Sequence, residues 1–313
     1  MKAINLSHSK SKRRKEPKKI YGKSASGNLT LTPQYLVNKS FIILSRNVIE
    51  LDKLEVLDMR VDELFDLSGR VSVVTGGSMG LGFQMATALA EAGSSIVLCA
   101  RNYNKCAEAA TIIAKLGVET LAVSCDVRFR KDVRNLVMRA LEKFGRIDVL
   151  VNSAGTAWAA PPEKMKIADW QKVIDVNLTG TFICCQEVGK VMIRNKKGSI
   201  INVSSVLSSV GNRIIDCINY SASKGGVDAL TRDLAVKWAP FNIRVNAIAP
   251  GFFKTHLTTS VIERRGNEII NLTPAARIGG DDDLKGPVVF LASDASKFVT
   301  GQVIAVDGGY SIM

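Results

Sequence analysis

From Arg70 to the C-terminus the sequence predicts one doubly wound α/β domain, built on a seven-stranded parallel sheet. Three observations predict it. Short β-branched runs alternate with apolar-periodic segments of helical length, the first such run leads straight into a glycine-rich turn, and the densest charge lies ahead of residue 59. Strands that alternate with helices imply a sheet covered on both faces and joined by right-handed crossovers.

The strand-like runs fall at 71–75, 95–99, 120–124, 147–151, 199–203, 243–248 and 302–306. The first ends at Thr75 and is followed by Gly76-Gly77-Ser78-Met79-Gly80-Leu81-Gly82 and an apolar segment over 83–92, which reads as strand, tight turn, helix. Gly76, Gly80 and Gly82 would let the backbone turn sharply and approach a pyrophosphate at the positive end of that helix, with Ser78 and Met79 in the same turn. Such a turn suits the phosphate-binding loop of a Rossmann-type domain, and taken alone it equally suits a plain glycine-rich strand-to-helix turn. Ligands of such a sheet meet at the carboxyl ends of its strands.

Composition sets the boundaries. The chain has 313 residues and a formal charge of +13, from 42 Lys and Arg against 29 Asp and Glu. Residues 1–58 hold twelve Lys and Arg against five Asp and Glu, which is +7 in under a fifth of the chain. Residues 1–58 therefore read as a basic, disordered extension and 59–313 as the folded domain. The basic run at 9–19 would permit nucleic-acid binding or organellar import, but it has no aromatic interleaving beyond Tyr21, so nucleic acid is not the favoured partner. No stretch reaches the ~20 apolar residues that a membrane span needs. Six cysteines without a CxxC pair suit a reducing, cytoplasmic setting. With two histidines in the whole chain, a His-rich metal site or a Ser-His-Asp triad has little to draw on, and no metal is expected.

Chemistry enters with Tyr220-Ser-Ala-Ser-Lys224, which places a phenol and an ammonium on one helix face. A cation about 4 Å away at an effective dielectric of ~20 favours the phenolate by roughly 4 kcal/mol, or up to about three pKa units. That would bring a tyrosine into the range of a general acid or base. Taken alone, the pair reads as two surface residues of an amphipathic helix.

The wider pattern reverses that reading. Thr75 to Gly82, Cys125-Asp126-Val127, Asn152-Ser-Ala-Gly155, Asp175-Val-Asn177, Asn202-Val-Ser-Ser205, Tyr220 to Lys224, Arg244-Val-Asn246 and Pro250-Gly251 occur in this order. Over residues 64–313 the chain thus resembles the short-chain dehydrogenase/reductase family. The resemblance implies a catalytic set of Asn177, Ser205, Tyr220 and Lys224. Tyr220 would exchange the proton and Ser205 would hold the substrate oxygen. Lys224 would lower the tyrosine pKa and hold the nicotinamide ribose, and Asn177 would keep a water in the relay. Ser204 competes with Ser205, but side chains alternate along a strand, so only one of the two faces the site.

The resemblance also implies cofactor contacts from Gly76, Ser78, Met79, Gly80, Gly82, Arg101, Asp126, Val127, Asn152, Ala154, Gly155, Tyr220, Lys224, Pro250, Gly251 and Thr255. Asp126 would take the adenine amino group, and the loop from Asn152 to Gly155 would lie under the adenosine ribose. Ser153 stands where the family usually has a second Asn. The second strand places Cys99 where an NAD-preferring enzyme carries a carboxylate, and Arg101 follows two residues later, so NADP(H) is favoured and NAD(H) is the alternative.

Tyr220 lies fifteen residues beyond Ser205, two more than the commonest family spacing, and the extra residues fall within 213–217, beside the substrate. A mobile lid is expected at 255–272. The implied reaction interconverts a secondary alcohol and a ketone. The lead-in at 64–69 and the turn at 77–82 resemble the branch of gluconate 5-dehydrogenases and polyol dehydrogenases, with 3-oxoacyl-[acyl-carrier-protein] reductases as the alternative. A rival of another class is a non-catalytic dinucleotide-sensing protein, which would be expected to have lost Tyr220 or Lys224. The family also implies a homotetramer, packed through helices near 168–194 and 217–239.

Overall fold

The computed structural model describes residues 41–44, 47–50 and 60–313. The basic run at 9–19 lies outside the described residues, as does most of the stretch expected to be disordered. Within that stretch, β1 (Phe41–Leu44) and β2 (Asn47–Glu50) pair antiparallel, with Phe41 opposite Glu50 and Leu44 opposite Asn47. The chain from Arg60 to Met313 forms a separate compact unit.

That unit is built on seven strands: β3 (Val71–Thr75), β4 (Ser95–Ala100), β5 (Thr120–Ser124), β6 (Val149–Asn152), β7 (Gly198–Val203), β8 (Ile243–Pro250) and β9 (Val303–Val306). They lie in the order β5-β4-β3-β6-β7-β8-β9, and every neighbouring pair is parallel. All seven expected strands are present. The chain leaves β3 toward β4 on one side, and β6 flanks β3 on the other, so the winding reverses between β3 and β6. A crevice opens at the carboxyl ends there.

Side-chain alternation along the strands divides the core in two. Ile96, Leu98 and Ile201 face one layer with Met85 and Leu89 of α2 (Gly80–Glu91), Ile113 of α3 (Tyr103–Ala114) and Leu291 of α9 (Lys285–Ala292). Val97, Leu150 and Ile200 face the other with Leu136 of α4 (Arg130–Phe144), Met192 of α6 (Gly180–Asn195) and Leu234 of α7 (Ile218–Trp238). Each such buried side chain contributes roughly 1.5–3 kcal/mol of transfer free energy. Both faces being covered explains why the strands read as continuous apolar runs.

The long helix expected over 168–194 is interrupted. It runs as α5 (Ile167–Ile174), a π turn (Asp175–Thr179) and α6. The interruption is a packing device. A Cβ at Gly180 would lie 2.7 Å from Val127 Cγ2, so only glycine lets the helix close against the turn after β5. The wider π turn directs Asn177 inward, where it is completely buried. Among the described residues no helix is long and apolar enough to cross a membrane, and no cluster of His, Cys, Asp and Glu could hold a metal. All six cysteines are buried free thiols.

Candidate active site

The turn after β3 is held from below. The buried Thr75 hydroxyl accepts hydrogen bonds from the backbone N–H of Ser153 and of Ala154, each 3.1 Å long, and so ties the glycine turn to the loop after β6. Gly76 has φ +65° and presses on that loop, where a Cβ would come within 2.8 Å of Ala154 Cα. Gly82 packs back on Gly76, its would-be Cβ 2.4 Å from the Gly76 carbonyl oxygen. The N-cap of α2 is Met79, with extended backbone and no side-chain hydrogen bond to the first turn. The first-turn N–H groups therefore point into the crevice uncapped, which suits an anion such as a pyrophosphate. The Thr255 side chain packs close to Gly80, a Cβ there lying 3.6 Å from it.

Beyond this turn the predicted adenosine contacts divide. Arg101 is exposed and free of ion pairs among the described residues. Cys99, expected to face the ribose, instead turns into the core. Its thiol is buried among Val97, Val123 and Cys125, which raise its pKa well above the usual thiol value through hydrogen bonding with Cys125 and burial. Ala100, which ends β4, is partly exposed and packs toward the opposite layer, so neither residue at the strand end supplies a carboxylate. Asp126 carries a bidentate ion pair with Arg128, 2.6 Å at its shortest, and hydrogen bonding from that guanidinium holds the carboxyl below its usual range. Any adenine contact from Asp126 must share the carboxylate with Arg128. Val127 is buried against Gly180.

Asn152 does not bring its side chain to the crevice. The amide is buried beneath the sheet, donating to Asn202 Oδ1 at 2.9 Å and to Cys185 Sγ at 3.2 Å. Ala154 and Gly155 do line the crevice floor through their backbone. The Asn177 side chain is fully engaged: Oδ1 accepts from the Thr156 N–H, while Nδ2 donates to the Thr156 carbonyl and to Ser223 Oγ, at 2.9, 2.9 and 3.0 Å. Its side chain thus clamps the loop after β6 to α7. Ser223 in turn donates to the Tyr220 carbonyl at 2.7 Å, which braces the first turn of α7.

At the carboxyl end of β7, Ser204 turns inward to within 3.5 Å of the Lys224 carbonyl. Ser205 faces the tyrosine, and its hydroxyl accepts from the Leu207 N–H at 3.2 Å. The Tyr220 ring is half-buried among Val206, Leu207, Val210, Ile215, Cys217 and Tyr310. Burial pushes its pKa up to about 12, against a smaller downward pull from the Ser205 hydroxyl. The Lys224 ammonium is buried, lies 5.6 Å from the tyrosine ring centroid and donates to the Val203 carbonyl at 2.6 Å. Burial lowers its pKa to about 8, which the charge of Asp228 partly offsets. One of its three protons has a protein acceptor, leaving two to be taken up by ligand hydroxyls.

β8 ends at Pro250, and Gly251 just after it lies against Asp307, where a Cβ would be 2.8 Å from that residue's Cα. The expected lid at 255–272 is a braced turn leading into α8 (Thr259–Asn271). The Thr255 N–H donates to Thr258 Oγ1 at 2.9 Å, and Thr259 Oγ1 donates to the Thr255 carbonyl at 2.7 Å. The apolar side of α8 carries Val261, Ile262 and Ile269, which pack on Ile214, Ile215 and Phe252. The longer loop at 213–217 therefore docks on the lid, and Asn212 Oδ1 shapes it by accepting from the Ile214 and Ile215 N–H groups.

Residues 76–311 match the family model described as Enoyl-(Acyl carrier protein) reductase. The 2-dehydro-3-deoxy-D-gluconate 5-dehydrogenase of Formosa agariphila is 39% identical over 256 residues, which cover 80% of this chain and 96% of that one. The 3-oxoacyl-[acyl-carrier-protein] reductase of Synechocystis is 42% identical over 248 residues, covering 78% and 97%. The crystal structure of a gluconate 5-dehydrogenase from Burkholderia cenocepacia, in complex with NADP and tartrate, superposes with a TM-score of 0.78 at 36% identity, over 81% of this chain and 100% of that one. The chain belongs to the short-chain dehydrogenase/reductase family.

As a short-chain dehydrogenase/reductase it is an NAD(P)-dependent oxidoreductase acting on alcohol and ketone groups. The uncapped α2 and the partly unsatisfied Lys224 ammonium both fit a dinucleotide lying along the crevice. The structure brings Ser205, Tyr220 and Lys224 together, and Asn177 supports them from behind. Sequence reading missed the clamps, Thr75 and Ser223. Ser223 stands between Tyr220 and Lys224 and could have been noticed as a hydroxyl three residues after the tyrosine, where it reaches a backbone carbonyl. Thr75 opens the glycine-turn motif, but its hold on the loop after β6 is visible only once β3 and β6 are paired.

Proposed function

We propose that this short-chain dehydrogenase/reductase is an NADP(H)-preferring enzyme and that Asn177, Ser205, Tyr220 and Lys224 are its working residues. The observation that carries the reading is the convergence of Ser205, Tyr220 and Lys224 at the carboxyl end of β7 and the start of α7. Nicotinamide supplies or accepts the hydride. Tyr220 Oη then gives a proton to the ketone oxygen or takes one from the alcohol, and Ser205 Oγ hydrogen-bonds the same oxygen. Lys224 offers its free protons to ribose hydroxyls while its charge favours the phenolate. Asn177 positions the loop and α7 relative to one another. NADP(H) preference rests on the lack of a carboxylate at the end of β4 and on the unpaired Arg101, whose guanidinium can fork onto a 2′-phosphate.

For substrate, a sugar acid or polyol is the leading class. The relatives and the tartrate-bound neighbour support it, and Arg213 and Lys254 stand exposed, without ion-pair partners among the described residues, on the two segments bordering the substrate side. A 3-oxoacyl thioester is the second reading, favoured by the apolar wall of Val210, Ile215 and Tyr310 that continues from Tyr220 to the lid. Following absorbance at 340 nm with both classes separates the two. Turnover of acyl thioesters with none of sugar acids would overturn the first, and no turnover of any alcohol or ketone would overturn the enzyme assignment in favour of a dinucleotide sensor. A homotetramer packed through α6 and α7, in a reducing cytoplasmic setting suited to six buried thiols, completes the proposal. Light scattering tests the assembly, and a monomer would refute it.

A further inference from the structure

α7 carries a second buried charge that the chemistry above does not use. Asp228 lies one turn beyond Lys224, is 7% exposed, and has Oδ1 shut off from solvent with no hydrogen-bond donor. No ammonium or guanidinium of the described residues comes within 4.0 Å of it. Lys224 is 5% exposed and touches no carboxylate, its acceptor, the Val203 carbonyl, carrying no formal charge. Two opposite charges are thus sealed into one helix face without meeting. Burying either alone is expensive, and the expense falls when the other stands nearby in a medium that screens poorly.

We propose that Asp228 is a positioning residue whose carboxylate keeps Lys224 protonated at the working pH without forming a salt bridge to it. The inference rests on the reading of Lys224 as the cation beside the phenol and the ribose. A salt bridge would draw the ammonium down the helix, away from Val203 and the crevice. A carboxylate held one turn back supplies charge and leaves the ammonium's protons free for ligand. The other titratable groups on α7 and on elements packed against it are Tyr220, Arg232, Asp233 and Lys237 of α7, Asp169 and Lys172 of α5, and Asp175 of the π turn. To these α6 adds Cys184, Cys185, Glu187, Lys190 and Arg194, and β8 adds Arg244. The turn from Val206 to Ser208 and strand β7 bring none. Of all of these, Asp228 is the charge that raises the proton affinity of Lys224.

At the one-turn separation of about 6 Å between side-chain origins and an effective dielectric of ~20, removing the carboxylate should lower the Lys224 pKa by about one unit or more. Asp228→Asn is the test, with Asp228→Ser, which leaves room for a water, should the amide not fold. Asp228→Glu restores the charge. The first measurement is urea unfolding without cofactor from pH 6.5 to 9. Below the Lys224 pKa the parent holds the ammonium more cheaply than the variant, and above it both hold a neutral amine. The ratio of their folding equilibrium constants should therefore fall by about tenfold or more across this range, and Asp228→Glu should follow the parent. The second measurement is NADPH binding by nicotinamide fluorescence. Affinity of the neutral variants should match the parent at pH 6.5 and weaken by about tenfold at pH 8.5. A stability gap that stays constant with pH overturns the inference, as does weakening of NADPH binding by the same factor at every pH. If no protein binds NADPH while the stability gap still closes, the enzyme reading fails and the charge pairing stands.

Discussion

Replacing Thr75 with valine tests the architecture of the crevice with little change of shape. The side chain is 1% exposed, and its Oγ1 accepts from two backbone N–H groups, Ser153 and Ala154, both at 3.1 Å. Its own proton reaches the Val151 carbonyl at 3.5 Å, too long to contribute much. Valine keeps the volume but leaves two donors without an acceptor, at about 1–3 kcal/mol each, set against ~0.8 kcal/mol for the additional buried methyl. The expected net loss is about 2–4 kcal/mol, read as a lower urea midpoint with an unchanged m-value. A second effect follows from contact. Ala154 abuts Gly76, and Gly76 abuts Gly82 at the start of α2, so a loop that relaxes to find new acceptors carries the phosphate-binding turn with it. NADPH affinity should fall about tenfold, corresponding to ~1.4 kcal/mol. Thr75→Ser keeps the hydroxyl and should lose under about 1 kcal/mol. If Thr75→Val unfolds within about 1 kcal/mol of the parent and binds NADPH equally well, the proposed coupling between the two loops is wrong.

Three further outcomes are expected. Tyr220→Phe, in a ring site already apolar, should lower kcat by roughly 10²- to 10⁴-fold and leave NADPH binding within about twofold; more than a tenth of parental turnover would refute the acid/base assignment. Arg101→Ala should raise the KM for NADPH by about tenfold with little change for NADH, and equal effects on both would remove the case for a 2′-phosphate contact. Lys224→Met should abolish turnover and yet fold more stably at pH 7. Burial takes the lysine from its ordinary 10.5 to about 8, so its contribution is present above pH 10.5 and lost as the pH falls through 8. The variant's advantage, ~1–2 kcal/mol after allowing for the orphaned Val203 carbonyl, should disappear in urea unfolding as the pH approaches 10.5. An advantage independent of pH would contradict the buried-cation account.

The strand positions were legible because both faces of the sheet are covered, which writes each strand as a compact apolar run between turn residues. The glycine turn was legible because its spacing has a backbone reason. What sequence could not supply was the facing of individual polar side chains. Asn152 and Asn177 belong to recognisable motifs, but the first turns beneath the sheet toward Asn202 and the second folds over to clamp Thr156, and only the pairing of β6 with β7 and the π turn decide this. Cys99 turns into the core rather than toward the ribose for the same reason: the parity of a strand is fixed by which neighbours it packs against. Single-residue parity and long-range hydrogen bonds are tertiary facts, and motif spacing alone does not contain them.

The tyrosine and lysine show the limit most clearly. From spacing alone, the ammonium should depress the phenol pKa by up to about three units. In the fold, both groups are desolvated, the phenol rising to about 12 and the ammonium falling to about 8. Desolvation opposes both members of the phenolate–ammonium pair, and the cation is held on Val203 with the ring centroid 5.6 Å away. On raising the pH, the lysine would lose its proton before the tyrosine, destroying the charge that is meant to favour the phenolate. Titration of such neighbours belongs to the pair rather than to either residue, so whatever holds the proton on Lys224 also sets how readily Tyr220 gives up its own. That makes the charge state of Lys224 the controlling variable of the site. It also gives a physical reason for a sealed carboxylate one turn further along α7, where an apolar residue would pack at lower desolvation cost.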